Sequence, residues 1–267
     1  RETFDWDEMC DTELPIPHID VQRAMVKEYN TITDRIALNE QLNQKLEETA
    51  QALFNEYFDD NSDEFEELRL GDLIEVKAGY SYHSSQLGKG KTYLLGMGCI
   101  SFSDRFVEDG MRLFSDDFPK KHLVKPRDIV IATRQQSENM PILGYPAMIP
   151  TELDDKNLLA ASNLYRVVNN SEVSNEVLYQ LLRSEGYLDR IRLNTKGTTV
   201  GMITKDAIED CLFLCPSKSE IVKLQRELES IVELIFTNRK ETKALHVLRS
   251  VLLSKMAKIE STLAGVV

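Results

Sequence analysis

Arg134, Gln135 and Gln136 stand together in the run Thr133–Ser137. Arginine forks onto guanine and glutamine pairs with adenine in the major groove, so this run carries the side chains best shaped for base edges. A second run, Asn194–Gly201, offers Lys196, the hydroxyls of Thr198 and Thr199 and glycine-flanked backbone N–H groups. Those are phosphate ligands. A third, from Gly79 to Lys91, interleaves Tyr80, Tyr82 and His83 with Lys89 and Lys91 on a flexible backbone. Each run alone is also the composition of a solvated turn. Their presence together in one region is what points to nucleic acid.

Other chemistries find less to work with. Glu75-Val76-Lys77 on a strand, with Asp63 or Asp72 upstream, imitates the carboxylates and lysine of a metal-dependent nuclease, at loose spacing. Cys211 and Cys215 lie four apart but have no second pair or nearby histidine to complete a zinc site. The sequence has no Gly-x-Ser-x-Gly, no Asn/Asp-Pro-Pro-aromatic motif and no glycine-rich cofactor loop after a first strand, and His18, His83, His122 and His246 are scattered. A protein without catalytic residues, metal or cofactor is expected.

The elements that must position these runs show in the charge distribution. The net charge of −12 is uneven: residues 1–67 hold 5 basic and 19 acidic residues, residues 68–216 hold 18 and 19, and residues 217–267 hold 9 and 6. The acidity belongs to one segment, so the middle region is free to carry a basic face. No apolar run reaches membrane-spanning length and the four cysteines are sparse, so no membrane partner and a reducing, cytoplasmic location are expected.

A two-copy repeat organises the chain. Met25, Tyr29, Ile32, Ile36, Asn39, Asn43, Leu46, Ala50, Leu53 and Tyr57 alternate spacings of four and three, the seam of a long helix packed on another helix. At a constant offset of 199 residues the pattern returns as Leu224, Leu228, Ile231, Ile235, Asn238, Thr242, Leu245, Arg249, Leu252 and Met256. Each helix, spanning 18–58 and 217–263, follows a short strand stopped by Pro17 or Pro216, with Asp20 and Ser219 as candidate caps. A rod of about 40 residues, about 60 Å at 1.5 Å per residue, needs a partner to be stable. Asn39 and Asn238 at equivalent seam positions would penalise wrong registers. The alternative is that both helices bury against a globular domain and the asparagines face water.

An acidic linker at 59–67 separates the first helix from residues 68–216, a mixed α+β domain. Strands are expected at Arg69–Val76, Tyr93–Ile100, Asp128–Thr133, Tyr145–Ile149, Leu158–Val168 and Cys211–Cys215. Helices are expected at Asn175–Ser184, capped by Ser174, and Gly186–Leu193.

These residues resemble a known family. Leu38-Asn39-Glu40-Gln41-Leu42-Asn43, with Leu46-Glu47, Ala50–Phe54 and Tyr57-Phe58, resembles the central conserved helix of type I restriction-modification specificity (S) subunits. Leu70–Val76 with Gly79 is similar to the opening of their target recognition domain, and Gly197 to Pro216 to its closing segment. Lys125–Ala132 is similar to a mid-domain strand usually written with Gly-Asp, with Arg127 here in the glycine's place. The resemblance implies a DNA target recognition domain with two long antiparallel helices as a coiled-coil spacer. It implies a subunit that reads half of a bipartite site on double-stranded DNA and docks methylation subunits, with the restriction subunit joining through the complex. Residues 1–17 are read as the tail of a preceding recognition domain, and the chain as a C-terminal portion, with a homodimerising half-subunit as the alternative. The rival functional readings are a coiled-coil scaffold that binds only proteins, and the nuclease.

Overall fold

The computed structural model describes residues 6–11, 16–59, 65–103, 105–115, 117–135, 142–197 and 200–263. Helices are α1 (Trp6–Cys10), α2 (Ile19–Asp59), α3 (Leu70–Leu73), α4 (Asn175–Leu181), α5 (Glu185–Leu193), α6 (Lys205–Glu209) and α7 (Lys218–Leu263). Strands in the first half are β1 (Glu66–Arg69), β2 (Ile74–Ala78), β3 (Leu87–Leu95), β4 (Ile100–Ser101), β5 (Arg105–Phe106), β6 (Arg112–Phe114) and β7 (Leu123–Val124). Those in the second are β8 (Ile129–Ala132), β9 (Arg134–Gln135), β10 (Pro146–Met148), β11 (Asn157–Ala160), β12 (Leu164–Asn169), β13 (Gly201–Met202) and β14 (Leu212–Cys215). The chain divides into two units, residues 1–44 with 237–267, and residues 45–236.

The first unit is helix on helix. None of the seam positions in α2 or α7 named above is exposed. Asn39, 1% exposed, donates to Thr242 Oγ1 at 3.3 Å and Glu241 Oε2 at 3.0 Å, and Asn238 donates to Asn43 Oδ1 at 3.0 Å. Partner numbers fall on α7 as they rise on α2, so the helices run antiparallel. Arg35 adds a two-pronged ion pair to Glu241 at 2.9 and 3.0 Å. Asn39 is therefore buried and Asn238 half-buried, each paired with polar side chains, which a shifted register would replace with apolar ones.

In the second unit the same two helices serve a globular core. Ala50 and Phe54 of α2 and Ile221, Leu224, Leu228, Val232 and Ile235 of α7 are buried with Leu178, Leu182 and Ile208 of the domain. The helix-on-helix reading holds in the first unit, and burial against the domain holds in the second, but the asparagines do not face water as the alternative expected.

The domain has two four-stranded sheets, ordered β10-β8-β12-β2 and β6-β3-β11-β7. Ile129 and Ile131 of β8 belong to the core shared with the helices, while Val130 and Ala132 belong to the core shared with Leu95, Leu158 and Ala160 of the other sheet. A strand covered on both faces is apolar throughout, which is why 129–132 lacks alternation. The expected strand Leu158–Val168 is two strands: β11 serves one sheet, β12 the other, and the chain crosses at Ala161. Gly79 lies against that crossing, where an added Cβ would sit 2.0 Å from the Ala161 carbonyl oxygen. Gly79→Ala is expected to destabilise the domain by about 1–3 kcal/mol through overpacking, measured by denaturant unfolding.

Other expectations are corrected. Arg69–Val76 is interrupted by the turn α3, which turns Leu70 into the core at 1% exposure, and Tyr93–Ile100 stops at Leu95 where Gly96 and Gly98 enter a 3-10 turn. The ladder of β1 with β14 starts at Glu66, inside the expected linker. The first long helix is entered at His18, whose carbonyl accepts from Val21 and Gln22, so Asp20 lies within the first turn. Ser217, not Ser219, stands at the cap of α7, its backbone N–H at 3.1 Å and its hydroxyl at 2.9 Å both donating to Glu220 Oε2. Ser174 stands at the start of α4 but its hydroxyl makes no cap bond, and the helix stops at Leu181 so that Ser184 can cap α5. The helix α6 was not anticipated; its cap is Thr204.

Arg127 answers the substitution noted in the sequence. Its φ of 68° is left-handed, the conformation glycine takes without strain. The arginine is held there by ion pairs to Glu176 and Glu233 and by Asn175 Nδ2 donating to its carbonyl at 3.0 Å.

Candidate nucleic-acid interface

Two of the three expected runs meet. Arg134 pairs across an antiparallel ladder with Met202, and Met202 pairs on its other side with Lys196 through two backbone hydrogen bonds of 2.9 Å. Residues directly opposite in such ladders project from the same face. Arg134, Met202 and Lys196 thus form one row, with both cations exposed and Met202 42% exposed. The row is anchored from below. Ile203 N–H donates to Thr133 at 3.1 Å, and the Tyr165 hydroxyl donates to the Ile203 carbonyl at 3.1 Å. Burial raises the Tyr165 pKa, against the opposing charge of Arg134. The turn after Lys196 requires Gly197, whose φ is 100° and whose missing Cβ would fall 2.3 Å from the Val200 carbonyl oxygen. Neither Arg134 nor Lys196 has a carboxylate partner among the described residues. Gln136, Thr198 and Thr199 lie outside the described residues.

Gln135 has an internal task. Its Oε1 accepts from the backbone N–H groups of Ile142 at 2.7 Å and Leu143 at 3.0 Å, tying together the chain on either side of residues 136–141.

The third run divides. Leu87 and Thr92 of β3 both pair with Phe114, so residues 88–91 leave the ladder and return to it. Gly88 and Gly90, at φ 74° and 78°, make that excursion feasible, and Lys89 and Lys91, each following one of them, are exposed. This part was expected as loop and is an interruption within a strand. The aromatics are packing residues: the Tyr80 and Tyr82 rings meet the buried Phe114 edge-on at 6.0 and 5.8 Å. His83 is exposed and its backbone N–H donates to Gln86 Oε1 at 2.9 Å. Beside Tyr80, at 5.5 Å between rings, His122 has its pKa lowered by burial and by Arg166, so its imidazole is neutral at pH 7. Met202, and the exposed Lys120 and Lys121 preceding His122, were not singled out from the sequence, since none stands in a motif.

The described residues of the nuclease reading are held in ion pairs. Glu75 pairs with Lys77 at 3.0 Å and Asp72 with Arg69 at 3.7 Å, while Asp63 lies outside the described residues. Among the described residues no three histidine, cysteine or acidic side chains converge as a metal site would need, and no helix is long and apolar enough to cross a membrane. Cys99, Cys211 and Cys215 are buried free thiols; burial pushes Cys215 up to about 11.

No family model and no curated protein matches the sequence. Solved structures match the fold. The type I restriction-modification system S subunit from M. genitalium superposes with a TM-score of 0.61 at 13% identity, over 89% of this chain and 61% of that one. The HsdS subunit from Thermoanaerobacter tengcongensis gives 0.46 at 17% identity, over 91% and 59%. A chain from a study of complex assembly and conformational transition of the type I R-M system gives 0.46 at 17%, over 91% and 60%. This chain spans about three fifths of the length of those structures, and its α+β domain with two long helices is the S-subunit fold.

Proposed function

We propose that this chain is a non-catalytic DNA-recognition component of a type I restriction-modification system. It reads half of a bipartite site on double-stranded DNA and docks methylation subunits through its helices, and the restriction subunit joins through the complex. One observation carries the reading: an S-subunit fold holds Arg134 and Lys196, two exposed cations without carboxylate partners among the described residues, on one face of a hydrogen-bonded three-residue ladder. A short ribbon is an element that the major groove admits. Arg134 reads a base edge, while Lys196 and Lys89 hold phosphates. Tyr80, Tyr82 and Gln135 stabilise the surface that presents them.

The test is co-expression with the cognate methylation subunits followed by mapping of methylated adenines. Adenines methylated within one split sequence, only when this chain is present, support the reading; no dependence on the chain ends it.

The scaffold reading has one observation in its favour, the exposed Val247, Leu248, Val251 and Leu253 on α7. Salt separates the two, because contacts to phosphate release counterions and contacts between apolar faces do not. Lys89→Ala in the assembled complex is expected to weaken binding alike on all sequences and to lower the slope of log affinity against log salt by about 1, measured by titration at several salt concentrations.

A further inference from the structure

We propose that Met202 is a specificity residue that packs against the C5-methyl group of a thymine in the major groove. This rests on the DNA-recognition reading above and adds to it a base type and a position. A methionine 42% exposed is unremarkable in a mobile loop, but this one is not in such a loop. Its N–H and C=O both bond to Lys196 at 2.9 Å, its other edge pairs with Arg134, and the next residue is tied to Thr133. The backbone beneath the thioether is thus fixed before any ligand arrives, which lowers the entropy of ordering the side chain on binding.

Its neighbours set what it meets. Arg134 and Lys196 flank it on the same face, so whatever polyanion the two cations engage brings its interior against Met202. In the major groove the one apolar feature of a base edge is the thymine methyl group, and a soft, unbranched thioether suits it. Adjacent positions on a ladder lie about 4.5–5.5 Å apart. Base pairs rise about 3.4 Å. The thymine therefore lies one or two base pairs from the base that Arg134 reads.

Deoxyuridine differs from thymidine only by that methyl group. The test uses the chain assembled with its methylation subunits and duplexes in which each thymine of the methylated half-site is replaced singly by deoxyuridine. With the unaltered chain, one replacement is expected to weaken binding about fourfold, the worth of one buried methyl group. That position should fall within two base pairs of the one whose preference Arg134→Ala relaxes. Met202→Ala should bind thymine and deoxyuridine duplexes equally, while Met202→Leu, similar in volume, should keep the difference. The inference is overturned if no replacement matters, if Met202→Ala keeps the difference, or if Met202→Ala weakens every duplex alike. A complex that binds no sequence preferentially would instead sink the recognition reading on which the inference stands.

Discussion

Glu47→Ala is expected to lower folding stability by about 3–5 kcal/mol, because it leaves a buried guanidinium without its counter-charge. The Glu47 carboxylate is ion-paired with Arg183 and lies 3.6 Å from Arg105 Nε. The Arg183 side chain is 5% exposed and Glu47 15%, so water cannot take over for the missing partner. Around this pair Gln180 Oε1 accepts from Arg183 at 3.1 Å, the guanidinium lies 5.0 Å from the Tyr179 ring centroid, and Tyr145 accepts from Arg105 at 2.7 Å. One carboxylate on α2 thus lies between arginines from two separate places in the domain. Denaturant unfolding of the full chain measures the effect, with a drop in melting temperature on the order of 10 °C for a chain of this size. In the double variant with Arg183→Ala the losses should fall well short of additive, as the second change removes the charge that the first left stranded. Full additivity would show that the two residues do not act as a pair.

Arg134→Ala is expected to cost roughly 1–3 kcal/mol of discrimination at a single base pair, a factor of roughly 5 to 150, while leaving preferences elsewhere intact. The fold should not change, since Arg134 contributes its backbone to the ladder with Met202 and its exposed side chain pairs with no described carboxylate. Arg134→Lys should recover little, because an ammonium keeps the charge and loses the planar fork. The measurement is competition among duplexes varied at each position of the methylated half-site. An unchanged preference profile would remove Arg134 from the base-reading role.

The long helices were legible because a seam of ten positions, repeated at a fixed offset, reports the packing of one helix on another whatever the intervening chain does. Strands buried on both faces were legible as apolar runs, and their ends less so: nothing local in Leu158–Val168 announces a change of sheet at Ala161. The site was partly legible. Arg134 and Lys196 were singled out by residue type, but their meeting depends on Met202, which lies in a two-residue strand with no periodicity to read. The packing role of Tyr80 and Tyr82 was not legible, for a related reason. An aromatic ring beside lysines has the same composition whether it stacks on a base or covers Phe114, and only tertiary contact distinguishes the two. Arg127 shows the reverse case: a local mismatch with the resembled motif corresponds to a real conformational demand, met by side-chain partners in place of glycine.

One polar contact of the helix pair obeys an exchange rule, whereas the Arg35–Glu241 ion pair does not, because Leu234 and Leu42 stand at its counterpart positions. Moving Asn39 and Thr242 each to its counterpart in the other copy yields Asn238 and Asn43, and that pair is also hydrogen-bonded. A local twofold axis therefore passes between the helices near Gln41 and Lys240, and this part of the interface is isologous. Beside that axis the amide and hydroxyl contacts are the same whichever helix supplies the donor, regardless of the polypeptide that bears it. Effective concentration, imposed by the tether of intervening residues, is then what favours pairing within one chain over pairing between chains.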